Sequence, residues 1–392
     1  MSERLEYATG RPVPRGAASI VGAGMAGLGE APGFTEMELL VRASQSALSQ
    51  AGLSVRDVDG LFATTAVHAM PSLSVAEYMG IRPVVSEATP MGGASFVHYV
   101  AEAARALAEG RCRVALIAYG SNQRTASGKL VSPSASHRRE APYKPRYPIT
   151  AYALAANRHM AEFGTTREQL AEVAVAARGW AGLNPEAFMR TPLTLDAVIG
   201  ARMVADPLTV LDCCLVTDGA AAIVMTRTDE ARDLTARPVP VLGGGTASRH
   251  RNISAMPDLT ETAARDSGAL AYESAGLKPG EIGLAMLYDA FTINTILFLE
   301  DLGFCAKGEG GSFVAGGAIG PGGRLPVNTN GGGLSFCHPG MYGLFLVVEA
   351  VRQLRGEAGE RQVDDLHTAL CHGNGGVLSA QSTIILGDAD AV

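Results

Sequence analysis

The stretch NTNGGGLSFCHPGMYG, Asn328 to Gly343, holds residue types that do chemistry. His338 is followed by Pro339, whose fixed φ restricts the turn that aims the imidazole. Tyr342 stands close behind, and the glycines, Gly331 and Gly332 among them, let backbone approach a ligand closely. An imidazole can donate to a developing oxyanion. A phenol can move a proton when its pKa of about 10 is depressed or when a relay serves it. The stretch reads as half of an active site.

Other chemistries recede on the same kind of argument. In HTALCH, His367, Cys371 and His372 lie close together, but a structural zinc site needs four ligands, so no metal is assigned. IVGAGMAG spaces Gly22, Gly24 and Gly27 like a dinucleotide fingerprint after a strand-like run. Pro32 and two more glycines follow where a helix N-terminus would have to hold the phosphate. The segment is expected to be a glycine-rich turn leaving the first strand, with no nucleotide cofactor. His68, His98, His159, His250 and His367 belong to no motif and are expected to be satisfied structural histidines.

The elements that must position His338 repeat along the chain. SQAGLSVRDVDGLFATT from Ser49 and ESAGLKPGEIGLAMLYDAF from Glu273 both read as helix end, Ala-Gly-Leu, charged turn, buried strand. Gly52 and Gly276 fit positions just past a helix, where a positive φ is cheap for glycine. Thr35 and Glu38 have capping-box spacing for the first helix. Gly92 to Ser121 and Gly340 to Gly376 both read as glycine turn, helix, strand. Strands alternating with helices predict an α/β fold built by duplication. The halves are 1–236 and 237–392, the first carrying a loop or cover region at about 121–200. Ser121 to Pro148 brings Arg124, Lys129, Arg138, Arg139, Lys144 and Arg146, which would suit a cover over an anionic ligand or a solvated excursion.

The chain has 392 residues, 47% of them hydrophobic, enough for one large domain or two ordinary ones. Charges of both signs are mixed to a net −7, and no Lys/Arg run points to nucleic acid. Met1 to Arg15 lacks the apolar core of a signal peptide, and no apolar run approaches a membrane span. Six cysteines without a CxxC pair suggest reduced thiols in a cytoplasm.

Taken together, these stretches resemble the thiolase superfamily, in particular the sterol-carrier-protein-type thiolases. FGTTREQLAEVAVAARGWAGLNPEAF and ADPLTVLDCCLVTDGAAAIVM read like that family's middle region. LYDAF stands where thiolases carry an Asn-Glu-Ala-Phe box, and ALCHGNGG where they carry their last catalytic loop. The resemblance implies a five-layered αβαβα sandwich, a dimer and an acyl-coenzyme A ligand. It also exposes departures. The family's nucleophilic cysteine position falls on Gly93, and no cysteine lies between Gly60 and Gly110. Without a thiolate no acyl-enzyme forms. Tyr288 replaces the box asparagine, and Tyr342 replaces a small residue after the His-Pro turn.

Two phenols in a pocket without its thiolate resemble the thiolase-like aldolases of bacterial steroid side-chain degradation. Those enzymes split a β-hydroxyacyl-coenzyme A by retro-aldol cleavage, there giving a 17-ketosteroid and propionyl-coenzyme A. The resemblance implies His338 as donor to the thioester oxygen and Tyr288 and Tyr342 as the proton-transfer pair. Cys371, at the family's acid/base cysteine position, and His372 either take part or only pack. Ser95, Gly331, Gly332 and Gly373 are implied in contacts with the acyl-coenzyme A, which is substrate rather than cofactor. A small OB-fold partner, or the OB-fold domain of an acyl-coenzyme A hydratase subunit, is implied as well. Two alternatives remain: a non-catalytic sterol or acyl-coenzyme A carrier, and an acyltransferase working through Ser95.

Overall fold

The computed structural model describes residues 12–65, 67–126 and 138–392, so Lys129 lies outside it. The first half runs β1 (Ala18–Gly29), α1 (Glu36–Gln50), β2 (Gly60–Ala63), α2 (Pro71–Met79), β3 (Val85–Glu87), α3 (Ala94–Ala108) and β4 (Ala115–Ser121). A long excursion follows, with α4 (Gln123–Ala126), α5 (Ile149–Phe163), α6 (Arg167–Gly182), α7 (Leu195–Ile199), β5 (Met203–Ala205) and β6 (Leu208–Thr209). The chain then returns through β7 (Asp218–Arg227) and α8 (Thr228–Leu234). The second half comprises β8 (Val239–Ser248), α9 (Ala264–Ala275), β9 (Leu284–Leu287), α10 (Thr292–Asp301), α11 (Gly310–Val314), α12 (Gly343–Leu354), β10 (Thr368–Gly375) and β11 (Ala380–Gly387).

The duplication is visible strand by strand. The first half pairs in the order β3-β2-β4-β7-β1 and the second in the order β9-β10-β11-β8. In both, the first two inner strands are parallel (β2 with β4, β9 with β10) and the last two pairings are antiparallel. A bridge from Ala285 to Val327, parallel to β9, stands where β3 stands beside β2. The halves meet edge to edge through Ser19 and Ile20 of β1 and Val239 and Pro240 of β8. Helices α3 and α12 touch strands of both halves and each other, while α1 covers the outer face of one half and α9 that of the other. This is the five-layered αβαβα sandwich. The inner helices are buried almost all round: the apolar residues of ASFVHYVAEAARALA and GLFLVVEAVRQL leave only a narrow, partly exposed stripe, His98, Glu102, Arg105 and Ala108 on α3 and Arg352 on α12.

Local signals form as their chemistry demands. Thr35 Oγ1 accepts the Glu38 N–H at 3.2 Å and the Glu38 carboxylate accepts the Thr35 N–H at 2.8 Å, closing the capping box. Gly52 and Gly276 hold φ of +64° and +65° at the ends of α1 and α9. The expectation of a turn at IVGAGMAG is overturned: Gly22 and Gly24 lie inside the twelve-residue β1. A Cβ at Gly22 would stand 1.9 Å from the Ala47 carbonyl oxygen, and one at Gly24 2.5 Å from that of Ala43. These glycines let α1 lie directly on the strand, so close packing, not a turn or a phosphate, explains the spacing.

Candidate active site

Strand β9 delivers Tyr288 at its C-terminal end, where the Tyr288 N–H donates to the His372 carbonyl of β10 at 3.0 Å. The chain from Asn328 to Tyr342 passes through a π-helical turn, Gly332–Phe336, before the His338-Pro339 corner and the start of α12. Asp289 shapes that turn: its carboxylate accepts the N–H of Gly333 at 2.6 Å and that of Leu334 at 3.4 Å. Burial pushes the Asp289 carboxyl up to about 7 in spite of these donors.

Three side chains then meet. The Tyr288 hydroxyl lies 3.0 Å from His338 Nε2 and accepts the backbone N–H of Tyr342 at 3.2 Å. The Tyr342 hydroxyl donates to Asn330 Oδ1 at 2.8 Å. The Tyr288 ring stands edge-on to both His338 (5.6 Å, 89°) and Tyr342 (5.8 Å, 76°), and the Tyr342 ring lies nearly parallel to Phe345 at 5.8 Å. All three groups are buried. Burial raises both phenols well above their ordinary range and pushes His338 down to about 4, so the imidazole is neutral near pH 7. Among the described residues His338 Nδ1 has no hydrogen-bond partner.

The His-Pro corner is braced from the other half of the molecule. Gln123 Nε2 donates to the His338 carbonyl at 2.8 Å, the His338 N–H donates to Thr217 Oγ1 at 3.0 Å, and the Tyr119 hydroxyl donates to the Pro339 carbonyl at 2.5 Å. Sequence reasoning missed all three residues. Their sole signal is position: Tyr119 ends the buried run VALIAY, Gln123 follows it closely, and Thr217 precedes the next strand.

The position implied for a nucleophile has a physical occupant. A Cβ on Gly93 would lie 2.0 Å from Tyr288 Cε2 and 2.7 Å from Cζ. The Tyr288 ring therefore fills the volume that a side chain at 93 would need. Gly93 also caps α3, and a Cβ on Gly343, the first residue of α12, would meet the Gly93 carbonyl oxygen at 2.0 Å. The N-termini of the two central helices thus converge beside the phenols, and their partial positive charge favours an anion there.

The other sequence candidates lie elsewhere or are committed to the protein. His372 faces away, with Nδ1 2.8 Å from Thr383 Oγ1 and Nε2 2.9 Å from Gln381 Oε1, its ring edge-on to Phe298 at 4.5 Å. Burial pushes it down to about 3. The Cys371 thiol is buried against the Leu346 carbonyl at 3.7 Å and raised by burial. Ser95 Oγ accepts the Met91 N–H at 2.7 Å, fixing the turn into α3. A Cβ on Gly331 would meet Ala181 at 2.7 Å, on Gly332 Asp289 at 2.0 Å, and on Gly373 Val97 at 2.9 Å, so protein packing accounts for each.

Of the basic segment, Arg124 is held by Glu30 at 2.7 Å and the Val216 carbonyl at 3.0 Å, and lies over the Phe188 ring. Arg138, Arg139, Lys144 and Arg146 are exposed. Glu140 anchors the segment to the second half by accepting the Ser254 N–H at 3.1 Å, and the Tyr147 hydroxyl at 2.5 Å. Among the described residues no helix is long and apolar enough to cross a membrane.

Residues 245–388 match the family described as "Thiolase C-terminal domain-like". The chain is 34% identical to an acetyl-CoA acetyltransferase of Methanothermobacter thermautotrophicus, over 91% of this chain and 96% of that one. The chain belongs to the thiolase superfamily. It is 35% identical to a 17-hydroxy-3-oxo-4-pregnene-20-carboxyl-CoA lyase of Mycobacterium tuberculosis, over 87% of this chain and 92% of that one. Among solved structures it is similar to an Ltp2-ChsH2(DUF35) aldolase, with a TM-score of 0.87 and 34% identity over 96% of this chain and 99% of that one.

Proposed function

We propose that this protein is a carbon–carbon lyase that cleaves a β-hydroxyacyl-coenzyme A by a retro-aldol step. The observation that carries the reading is the Tyr288 ring in the volume of a side chain at Gly93, bonded to His338 with Tyr342 beside it. A site that lacks room for a nucleophile but holds two phenols and an imidazole can move protons and stabilise charge. Cleavage of a β-hydroxyacyl thioester needs those two operations and no covalent intermediate.

In this reading Tyr288, a neutral phenol, takes the β-hydroxyl proton as the Cα–Cβ bond breaks and passes its own proton to the lone pair of His338 Nε2, 3.0 Å away, and the β-carbon becomes a ketone. The Tyr342 N–H donates to the Tyr288 oxygen and steadies the negative charge that builds there while the two protons move. The bond electrons pass to the thioester as an enolate beside the N-termini of α3 and α12. Tyr342, kept protonated by its buried setting, delivers a proton to the α-carbon, and a proton returns to it from the His338–Tyr288 pair. The net result is transfer of one proton from oxygen to carbon, with a ketone and a shortened acyl-coenzyme A as products. His338 Nδ1, buried and unpartnered among the described residues, is the valence free to meet the substrate.

Similarity to a lyase named for a 17-hydroxysteroid carboxyl-coenzyme A supports a C22 steroid thioester as the substrate, giving a 17-ketosteroid and propionyl-coenzyme A. Similarity to a two-component aldolase supports a DUF35 partner, the small OB-fold subunit expected from sequence. A homodimer fits the surface: among the described residues β3 ends the sheet, and Leu73, Tyr78 and Val84 beside it are more than half exposed. Six free thiols suit a reducing cytoplasm.

The test is incubation of the chain and its partner with the 17-hydroxysteroid C22 acyl-coenzyme A. Propionyl-coenzyme A and the 17-ketone are expected in equal amounts, with no acyl adduct by intact mass. Saturable binding without cleavage would replace the lyase with a carrier. A covalent acyl-serine would restore the acyltransferase reading.

A further inference from the structure

Asn330 belongs to no role considered so far, yet its side chain is the hydrogen-bond partner of the Tyr342 hydroxyl. It is buried, in the loop before the π-helical turn. Its Oδ1 accepts the Gly332 N–H at 2.9 Å as well as the Tyr342 hydroxyl at 2.8 Å. A backbone N–H can only donate, so the oxygen must face Gly332, and the amide cannot turn over without losing that bond. The phenol therefore has to point its proton at Asn330. The cost appears on the other side of the amide, where Nδ2 is buried without a partner among the described residues. A buried donor left unpaired is rare in native proteins and calls for an explanation. The backbone carbonyl of Asn330 is fixed too, accepting Asn184 Nδ2 at 2.8 Å. The Tyr342 ring is nearly parallel to Phe345 (6°, 5.8 Å) and tilted 28° to His338 at 6.2 Å, and this packing limits its freedom to seek another acceptor.

Resting on the lyase reading, we propose that Asn330 is the positioning residue for Tyr342, holding its hydroxyl protonated and in place for delivery to the α-carbon. A neutral carbonyl suits the task for a physical reason. It accepts the phenolic proton strongly enough to orient it but carries no charge to retain it. A carboxylate in the same place would hold the proton more tightly, because hydrogen bonds to a charged acceptor are roughly twice as strong. No acceptor at all would leave the hydroxyl free to rotate.

The experiment compares wild type, Asn330→Ala and Asn330→Asp, each with the partner, in cleavage rate against pH and in Kd for the acyl-coenzyme A product. Loss of orientation alone is worth on the order of a hundredfold, so Asn330→Ala is expected to lower kcat by about that factor with Kd within about twofold. Asn330→Asp is expected to fold and bind like wild type but to regain kcat as pH falls, when protonation of the introduced carboxyl removes its charge. Equal kcat in all three overturns the proposal. Parallel losses of thermal stability, Kd and kcat, with no new pH limb in Asn330→Asp, also overturn it, since Asn330 would then be scaffold alone. If wild type shows no cleavage, the lyase reading fails by itself, and NMR of protein labelled with 13Cζ-tyrosine, the Tyr342 signal assigned by its loss in Tyr342→Phe, then decides on Asn330. Displacement of that signal in Asn330→Ala and in the opposite sense in Asn330→Asp supports the hold on Tyr342, and a Tyr342 signal unchanged in both overturns it.

Discussion

At the scale of single residues the site is a set of side chains that fit only as a group. Tyr288 can lie against His338 because position 93 has no side chain. Gly93→Cys is therefore expected not to install acyl transfer but to push the Tyr288 ring off His338 and abolish cleavage. An acyl-enzyme adduct in that variant, with cleavage intact, would contradict this. Tyr288→Phe and Tyr342→Phe each remove one proton-transfer group, and each is expected to lower kcat by about a hundredfold or more with Kd for product nearly unchanged. Steady-state rates beside calorimetric binding check both. His338, Tyr288 and Tyr342 were legible in sequence, the first by its Pro-flanked motif and the two phenols as departures from a family pattern. The bracing by Tyr119, Gln123 and Thr217 was not, because backbone carbonyls accept from any donor that the fold brings near, and no motif records it.

At the scale of elements, β10 sorts its residues by the alternation of a strand. Gly373 faces α3 and Cys371 faces α12, while His372 turns to Phe298 of α10. Sequence adjacency in CHGNGG could not tell which neighbour faced the chemistry. Buried neutral imidazoles make the fold sensitive to acid. The folded-state pKa values of His338 and His372, about 4 and about 3, lie below the ordinary 6.5, so the unfolded chain binds more protons in between. Their contribution to stability is full above about pH 6.5 and is lost as pH falls from there towards the folded values. His372→Gln cannot gain a proton and is expected to flatten the decline between pH 6.5 and 4, as urea unfolding at several pH values would read. The α1–β1 contact is equally specific. Gly24→Ala sets a methyl 2.5 Å from the Ala43 carbonyl oxygen and is expected to destabilise the fold by about 1–3 kcal/mol, measured by the same unfolding curves.

At the scale of the whole molecule, duplication explains why the site sits where it does. Equivalent helices from the two halves, α3 and α12, form the middle layer, and their N-termini meet at Gly93 and Gly343. Neither half could form the site alone: Tyr288, His338 and Tyr342 come from the second half, and the space at Gly93 and the braces on His338 from residues preceding it. In the homodimer proposed above, the edge at β3 is the interface, and Val84 beside it is exposed. Val84→Glu puts a charge on that edge and is expected to shift a dimer towards monomer, as light scattering after size exclusion would show. A dimer unchanged by that substitution would move the interface elsewhere.

Sequence alone determined the alternation of strands and helices, the repeat, the capped ends at Thr35, Gly52 and Gly276, and the motif that carries His338. These are local matters: periodicity, φ preferences and short hydrogen-bonded loops act between residues near one another in the chain. It read IVGAGMAG wrongly because a glycine serves a turn, a phosphate or a helix packed on a strand equally well, and only the neighbour across space decides. Tertiary structure alone decided that Tyr288 fills the room left at Gly93, that Cys371 and His372 stand outside the phenol–imidazole cluster, and that Asn330 faces Tyr342. Each depends on contacts between segments that meet only when the two halves close on α3 and α12, where close packing allows one occupant per volume.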